Sequence, residues 1–161
     1  MTTGTTKGPK PSGITRFFFR LPIWLYRLHL GWLLGDRFLM FRHIGRKSGL
    51  PRYTVVEVVR HDLSTDTYII ASGWGEKADW FQNIQQEPEV VLYSGRRQMV
   101  ARAARLSLAE ATGALKDYAD RHPLAFHKLA KVMVGQELEG SEADCRLLAQ
   151  AVPLVTLRPH P

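Results

Sequence analysis

Three short runs hold residues whose types and spacing suit chemistry. Gly45–Arg52, the run GRKSGLPR, places Arg46, Lys47 and Arg52 close together and adds the Ser48 hydroxyl. Gly45 and Gly49 permit left-handed backbone and let a ligand approach closely. Arginine brings a planar fork and lysine a point charge, and consecutive N–H groups in such a turn can form an anion-binding nest. An exposed hairpin turn with solvated charges would have the same composition, so the run alone does not decide. It does not fit the GxxxxGK[ST] spacing of a Walker A loop.

The second run is Ser72-Gly73-Trp74-Gly75, which follows a strand-like stretch. Two glycines flanking a tryptophan leave bare backbone beside a large aromatic surface, a shape that receives a flat ring. A loop whose tryptophan plugs the end of a barrel reads equally well. The third is Asp79–Ile84 (DWFQNI), where Trp80, Asn83 and Ile84 share one helical face. An asparagine on an inward face needs partners, either a ligand or a neighbouring backbone group. Tyr118, His122 and His127 add a phenol and two imidazoles that could donate a proton near neutral pH, and each could equally be an ordinary helix residue. His29, His43, His61 and His160 are scattered and read as structural or solvated. Neither HExxH nor GxSxG occurs, and no metal-ligand cluster is expected.

The elements that must position these residues follow from periodicity. In Pro22–Gly31 or Gly35, Leu21 (just before it), Leu25, Leu28 and Trp32 fall within about a 60° arc, the mark of an amphipathic helix. Arg20 and Arg27 share another edge, so this helix either packs on the core or lies on a membrane surface. From Phe38 the period becomes that of strands: Phe38–Ile44 leads into the GRKSG turn and Arg52–Arg60 leads out. Thr67–Ser72 is the next strand, followed by a loop over Gly73–Lys77 and a short helix over Asp79–Gln86 that Pro88 ends. Glu89–Ser94 and Arg97–Ala104 form a hairpin around Gly95. Ser107 and Glu110 have capping-box spacing and open a helix to Arg121; Pro123–Val134 and Ser141–Ala151 are further helices, and Leu154–Arg158 is a closing strand. Short strands joined by hairpins predict an antiparallel barrel with peripheral helices, an α+β fold. No GxGxxG follows a strand, which argues against a Rossmann dinucleotide site.

Length and composition set the frame. The 161 residues suit one domain over 13–161, with a helical segment over 13–36 and a polar, Gly/Pro-rich tail over 1–12 expected to be disordered. Cys145 is the only cysteine, which excludes an intramolecular disulfide and a cysteine-based cluster and suits a reducing cytoplasm. The net charge of +7 implies an anionic partner: nucleic acid, an acidic membrane surface or a phosphorylated small molecule. Basic residues interleave with aromatics only in the N-terminal helix, too apolar for a DNA-reading surface, so nucleic acid is not expected. No apolar secretory core stands in the first dozen residues, and Phe17–Leu34 is interrupted by Arg20, Pro22, Arg27 and His29, so no membrane span is expected.

The order GRKSGxxR, strand, ASxxG, then Wx2N-hydrophobic before a proline resembles the deazaflavin-dependent nitroreductase-like family, from about Tyr26 to Arg158. The resemblance implies an FMN-binding-like split β-barrel and coenzyme F-420, a phosphorylated 5-deazaflavin, used for hydride transfer to a quinone, nitroaromatic or activated alkene. By motif, Arg46 and Lys47 would pair with the phosphate, with Ser48 nearby and Arg52 lending charge. Ser72, Gly73, Trp74 and Gly75 would border the ring, with Trp80 and Asn83 beside it. Two departures stand out: Gly73 and Trp74 where relatives often carry lysine or a second glycine, and Ala78 where they often carry proline. The other readings are an FMN enzyme on the same barrel and a non-catalytic carrier of a lipid or flat ligand. The implied partners are a small-molecule substrate and, at most, a second copy of the chain, with peripheral membrane contact through the N-terminal helix as a further expectation.

Overall fold

The computed structural model describes residues 38–73 and 75–161. The tail, the helical segment over 13–36 and Trp74 lie outside the described residues. Six strands close into an antiparallel barrel in the order β1-β2-β3-β6-β5-β4. They are β1 (Phe38–Ile44), β2 (Pro51–Asp62), β3 (Thr67–Ala71), β4 (Glu89–Ser94), β5 (Arg97–Arg105) and β6 (Leu154–Pro159). β1–β2, β2–β3 and β4–β5 are hairpins, β4 returns to β1, and the last strand, reached through three helices, slots between β3 and β5. Closure removes the unpaired edges that an open sheet of six strands would expose.

Alternation along β1 turns Leu39, Phe41 and His43 into the barrel, with Phe41 opposite Thr54 on one side and Leu92 on the other. Helix α1 (Asp79–Gln86) packs Trp80, Phe81 and Ile84 into the same core, and Trp80 meets the Phe41 ring edge-on at 5.5 Å. A second apolar layer lies outside the barrel. There α2 (Leu108–Arg121), α3 (Pro123–Val134) and α4 (Glu142–Ala151) pack Leu115, Phe126 and Leu148 against Val59 and Leu154.

Among the described residues the expected elements form within two residues of their expected bounds, β2 running from Pro51 to Asp62, and Gly75–Lys77 of the expected loop forms a short 3-10 turn. Ser107 and Ser141 stand just outside their helices as caps rather than inside them, Ser107 with both arms of the capping box present. Among the described residues, no helix is long and apolar enough to cross a membrane.

Candidate active site

The hairpin between β1 and β2 closes on itself. Gly45 N–H donates to the Leu50 carbonyl at 2.9 Å, Gly49 N–H to the Gly45 carbonyl at 2.8 Å, and Leu50 N–H to Ser48 Oγ at 3.2 Å. Gly49 sits at φ +68°, where a side chain would be strained. A Cβ on Gly45 would come within 2.6 Å of Ser48 Oγ. Among the described residues, the amides of Lys47 and Ser48 have no partner, and the Ser48 hydroxyl keeps its proton to donate. Lys47, Ser48 and Arg52 are exposed.

Arg46 behaves differently from its two cationic neighbours. Its guanidinium lies against α1, donating to Asn83 Oδ1 at 2.9 Å and Asp79 Oδ1 at 3.2 Å, and its backbone N–H donates to Asn83 Oδ1 at 3.0 Å. The Arg46 side chain is only 17% exposed, whereas that of Asp79 is 87% exposed. Arg46 therefore staples the turn to the helix, and its charge is already opposed by Asp79. At the head of α1, Ala78 gives no side-chain cap, and Arg46 instead holds the Asp79 residue of the first turn.

Asn83, 4% exposed, is the junction of this arrangement. Besides receiving both Arg46 bonds, it donates from Nδ2 to His43 Nδ1 at 3.1 Å. Its partners among the described residues are thus one backbone N–H and two side chains. His43 was legible in sequence only as one scattered histidine, yet it is 4% exposed at the barrel mouth. Burial first, then the Arg52 guanidinium, lowers its imidazole to about 4 against the weaker pull of Asp79, so it is neutral at physiological pH.

These residues bound a cavity of about 650 Å3 lined by His43, Arg46, Lys47, Ser48, Arg52, Tyr53, Trp80 and Asn83. Thr54 and Trp80 form part of its wall and also part of the wall of a second cavity, about 720 Å3 and mostly apolar. That second chamber lies between β2 and the helices and is lined by Val55, Glu57, Val59, Gly73, Gly75, Tyr118, Leu129, Val132 and Met133, among others. The loop over Ser72–Gly75 is held from within. Buried Ser72 donates its hydroxyl to the Gly75 carbonyl at 2.7 Å, and Gly75 N–H returns to the Ser72 carbonyl at 2.9 Å. Ser72 is thus a brace of this loop, while Gly73 and Gly75 face the chamber. A Cβ on Gly73 would meet Met133 Cε at 2.8 Å, so the absence of a side chain there leaves room for Met133.

Of the three candidate proton donors, Tyr118 lines the chamber and donates its hydroxyl to Glu57 Oε1 at 2.8 Å. His122 is exposed at the junction of α2 and α3. His127 bonds through Nδ1 to the Leu138 carbonyl at 3.1 Å. Neither histidine lines the chamber.

Comparison with known proteins agrees with this architecture. A solved F-420-dependent reductase has a TM-score of 0.53 at 17% identity, covering 76% of this chain and 95% of its own. A chain described as a domain-swapped dimer has a TM-score of 0.53 at 17% identity, covering 85% of this chain and 99% of its own. A pyridoxamine 5'-phosphate oxidase-related, FMN-binding protein of Nostoc punctiforme has a TM-score of 0.53 at 12% identity, covering 87% of this chain and 80% of its own. At these identities the likeness establishes the fold, the FMN-binding-like split barrel. No curated protein matches significantly in sequence. The family model for F-420H(2)-dependent quinone reductases matches residues 20–135, most of the chain. The chain therefore belongs to the F-420H(2)-dependent quinone reductase family, a deazaflavin-dependent oxidoreductase on a split barrel.

Proposed function

We propose that the cationic cavity holds the phosphate end of F-420, that the apolar chamber takes the ring end, and that a quinone or similarly small, apolar electrophile is reduced there. The observation that carries this reading is the shared wall. Thr54 and Trp80 belong to both cavities, so a cation-lined space and an apolar one of comparable size adjoin. The groups present suit an anion at one end: two backbone amides, a hydroxyl, Lys47 and Arg52. At the other end Gly73 and Gly75 border a mostly apolar chamber that suits a flat ring, with Met133 seated over Gly73. When bound, reduced F-420 supplies a hydride.

The chain's own residues do the rest. Ser48, Lys47 and Arg52 bind the phosphate, and Arg46 with Asn83 holds their turn against α1. Leu129, Val132 and Met133 line the chamber with hydrocarbon, which favours an apolar substrate over water. After accepting a hydride a quinone needs a proton on oxygen. Tyr118 can turn its hydroxyl from Glu57 to that oxygen and give it the proton, and solvent then returns a proton to the tyrosinate. His122 and His127 enter this scheme less readily, since neither lines the chamber.

The same reading includes a monomer or homodimer in the cytoplasm and a peripheral membrane contact through residues 13–36; the dimer is supported by the fold neighbour described as domain-swapped. FMN as cofactor is the second reading, favoured by the FMN-binding neighbour of the same fold. To test the first, reduced F-420 is mixed with the protein and a simple naphthoquinone. Quinone-dependent reoxidation of F-420 is expected, with Tyr118→Phe slowing it by about 100-fold or more, the scale of a lost general acid. Reoxidation supported by reduced FMN but not by reduced F-420 would reverse the assignment.

A further inference from the structure

We infer that His43 is a ligand-binding residue of the cationic cavity: with Nδ1 taken by Asn83, it presents Nε2–H to an acceptor oxygen of the phosphorylated molecule bound there. The inference rests on the cofactor placement proposed above and adds a residue to it.

The tautomer follows from a chain of donors. Asn83 Oδ1 faces the Arg46 backbone N–H at 3.0 Å and the Arg46 guanidinium at 2.9 Å, and neither group can accept a hydrogen bond. The amide therefore has one orientation, with Nδ2 toward His43 Nδ1 at 3.1 Å. A donor can meet only a bare ring nitrogen, so the proton of the neutral imidazole sits on Nε2. Among the described residues no hydrogen bond is made by His43 Nε2, and none of their buried side-chain polar atoms lacks a partner. Nε2 must then reach open space, and the space that His43 borders is the cavity of Lys47 and Arg52.

A histidine that served only to brace Asn83 would have no reason to keep its second nitrogen at a cavity wall. The cationic groups of that cavity, Lys47 and Arg52, can only donate, so the partner that suits Nε2–H there is an oxygen brought by the ligand. Asp79 is the acidic group at the rim, and its Oδ1 is taken by Arg46. Phe41 stands behind the ring at 5.6 Å between centroids and Arg52 approaches from β2, so burial and a like charge both keep the imidazole neutral. Its role is directional donation, distinct from the charge supplied by Lys47 and Arg52.

Two measurements test this. Nitrogen NMR of the histidine rings in the full chain should show His43 as the Nε2–H form, with that resonance moving when oxidised F-420 is added. Fluorescence titration of His43→Asn, which keeps an acceptor for Asn83 near the Nδ1 position and removes the donor beyond it, should give an F-420 affinity about 10-fold or more below wild type at an unchanged thermal midpoint. An Nδ1–H tautomer, an Nε2 resonance indifferent to F-420, or wild-type affinity in His43→Asn would each overturn the inference while leaving the cofactor placement intact. Failure of the wild-type chain to bind F-420 would remove both.

Discussion

Replacing Lys47 and Arg52 together with alanine is expected to weaken F-420 binding by about 100-fold or more, because each hydrogen bond to a charged group contributes about 1.5–3 kcal/mol. Fluorescence titration of F-420 reads the loss directly. Both side chains are exposed, and among the described residues neither has an acidic partner, so folding does not depend on them. The thermal midpoint should stay at the wild-type value. Added salt should narrow the gap between wild type and variant, since exposed charges are screened. Arg46→Ala is a different experiment. Its guanidinium is already bonded to Asp79 and Asn83, so that variant loosens the turn from α1 and costs stability as well as affinity. An affinity in the Lys47→Ala/Arg52→Ala protein equal to wild type would remove the phosphate from this turn.

The second large effect is on stability. Asn83→Leu should lower the unfolding free energy by about 3–4 kcal/mol, because a buried donor or acceptor left without a partner costs about 1–3 kcal/mol. The Arg46 backbone N–H and His43 Nδ1 would both be stranded around an apolar side chain. At this chain length that is a fall in thermal midpoint of about 10 °C. Asn83→Asp separates the contributions. A carboxylate still accepts from Arg46, but it can only meet His43 if Nδ1 carries a proton, so in this variant the imidazole is drawn upward from its low value. Wild-type His43, held down to about 4, makes the fold lose stability as pH falls from about 6.5 toward 4, and a variant whose imidazole is drawn upward loses less over that window. The deficit of Asn83→Asp should therefore shrink as pH falls from about 6.5 toward about 4, whereas that of Asn83→Leu should not. Equal deficits at all pH values would mean that His43 and Asn83 are not coupled.

How much of this was legible in the sequence depends on the range of each interaction. The Gly45–Arg52 turn, the β-branched run of β2 and the caps at Ser107 and Ser141 are local, and local chemistry announces itself through glycine, charge and spacing. The family-like order of three motifs then added the barrel, which no single run specified. What stayed hidden is nonlocal. Arg46 and Asn83 lie 37 residues apart, and His43 and Asn83 lie 40 apart, so no spacing rule joins them. The sequence consequently showed nothing of the bonds from Arg46 to α1, and His43 read as a stray histidine. The same limit applied to the proton donors. Tyr118 and His122 stand four residues apart with their rings 5.5 Å from each other, yet Tyr118 is buried and bonded to Glu57 on β2 while His122, at the helix end, is exposed. A burial-and-partner argument could have flagged His43 earlier only by noticing that it shares the inward row of Leu39 and Phe41 on β1.

Titration of the wild-type chain with oxidised F-420, in parallel with FMN, tests the central claim most directly. The account predicts a saturable change in F-420 fluorescence with a Kd well below about 100 μM, an affinity better than about −5.5 kcal/mol, and weaker binding of FMN. F-420 fluorescence unchanged to about 100 μM, or protein that is purified yellow and retains FMN against F-420, would contradict it.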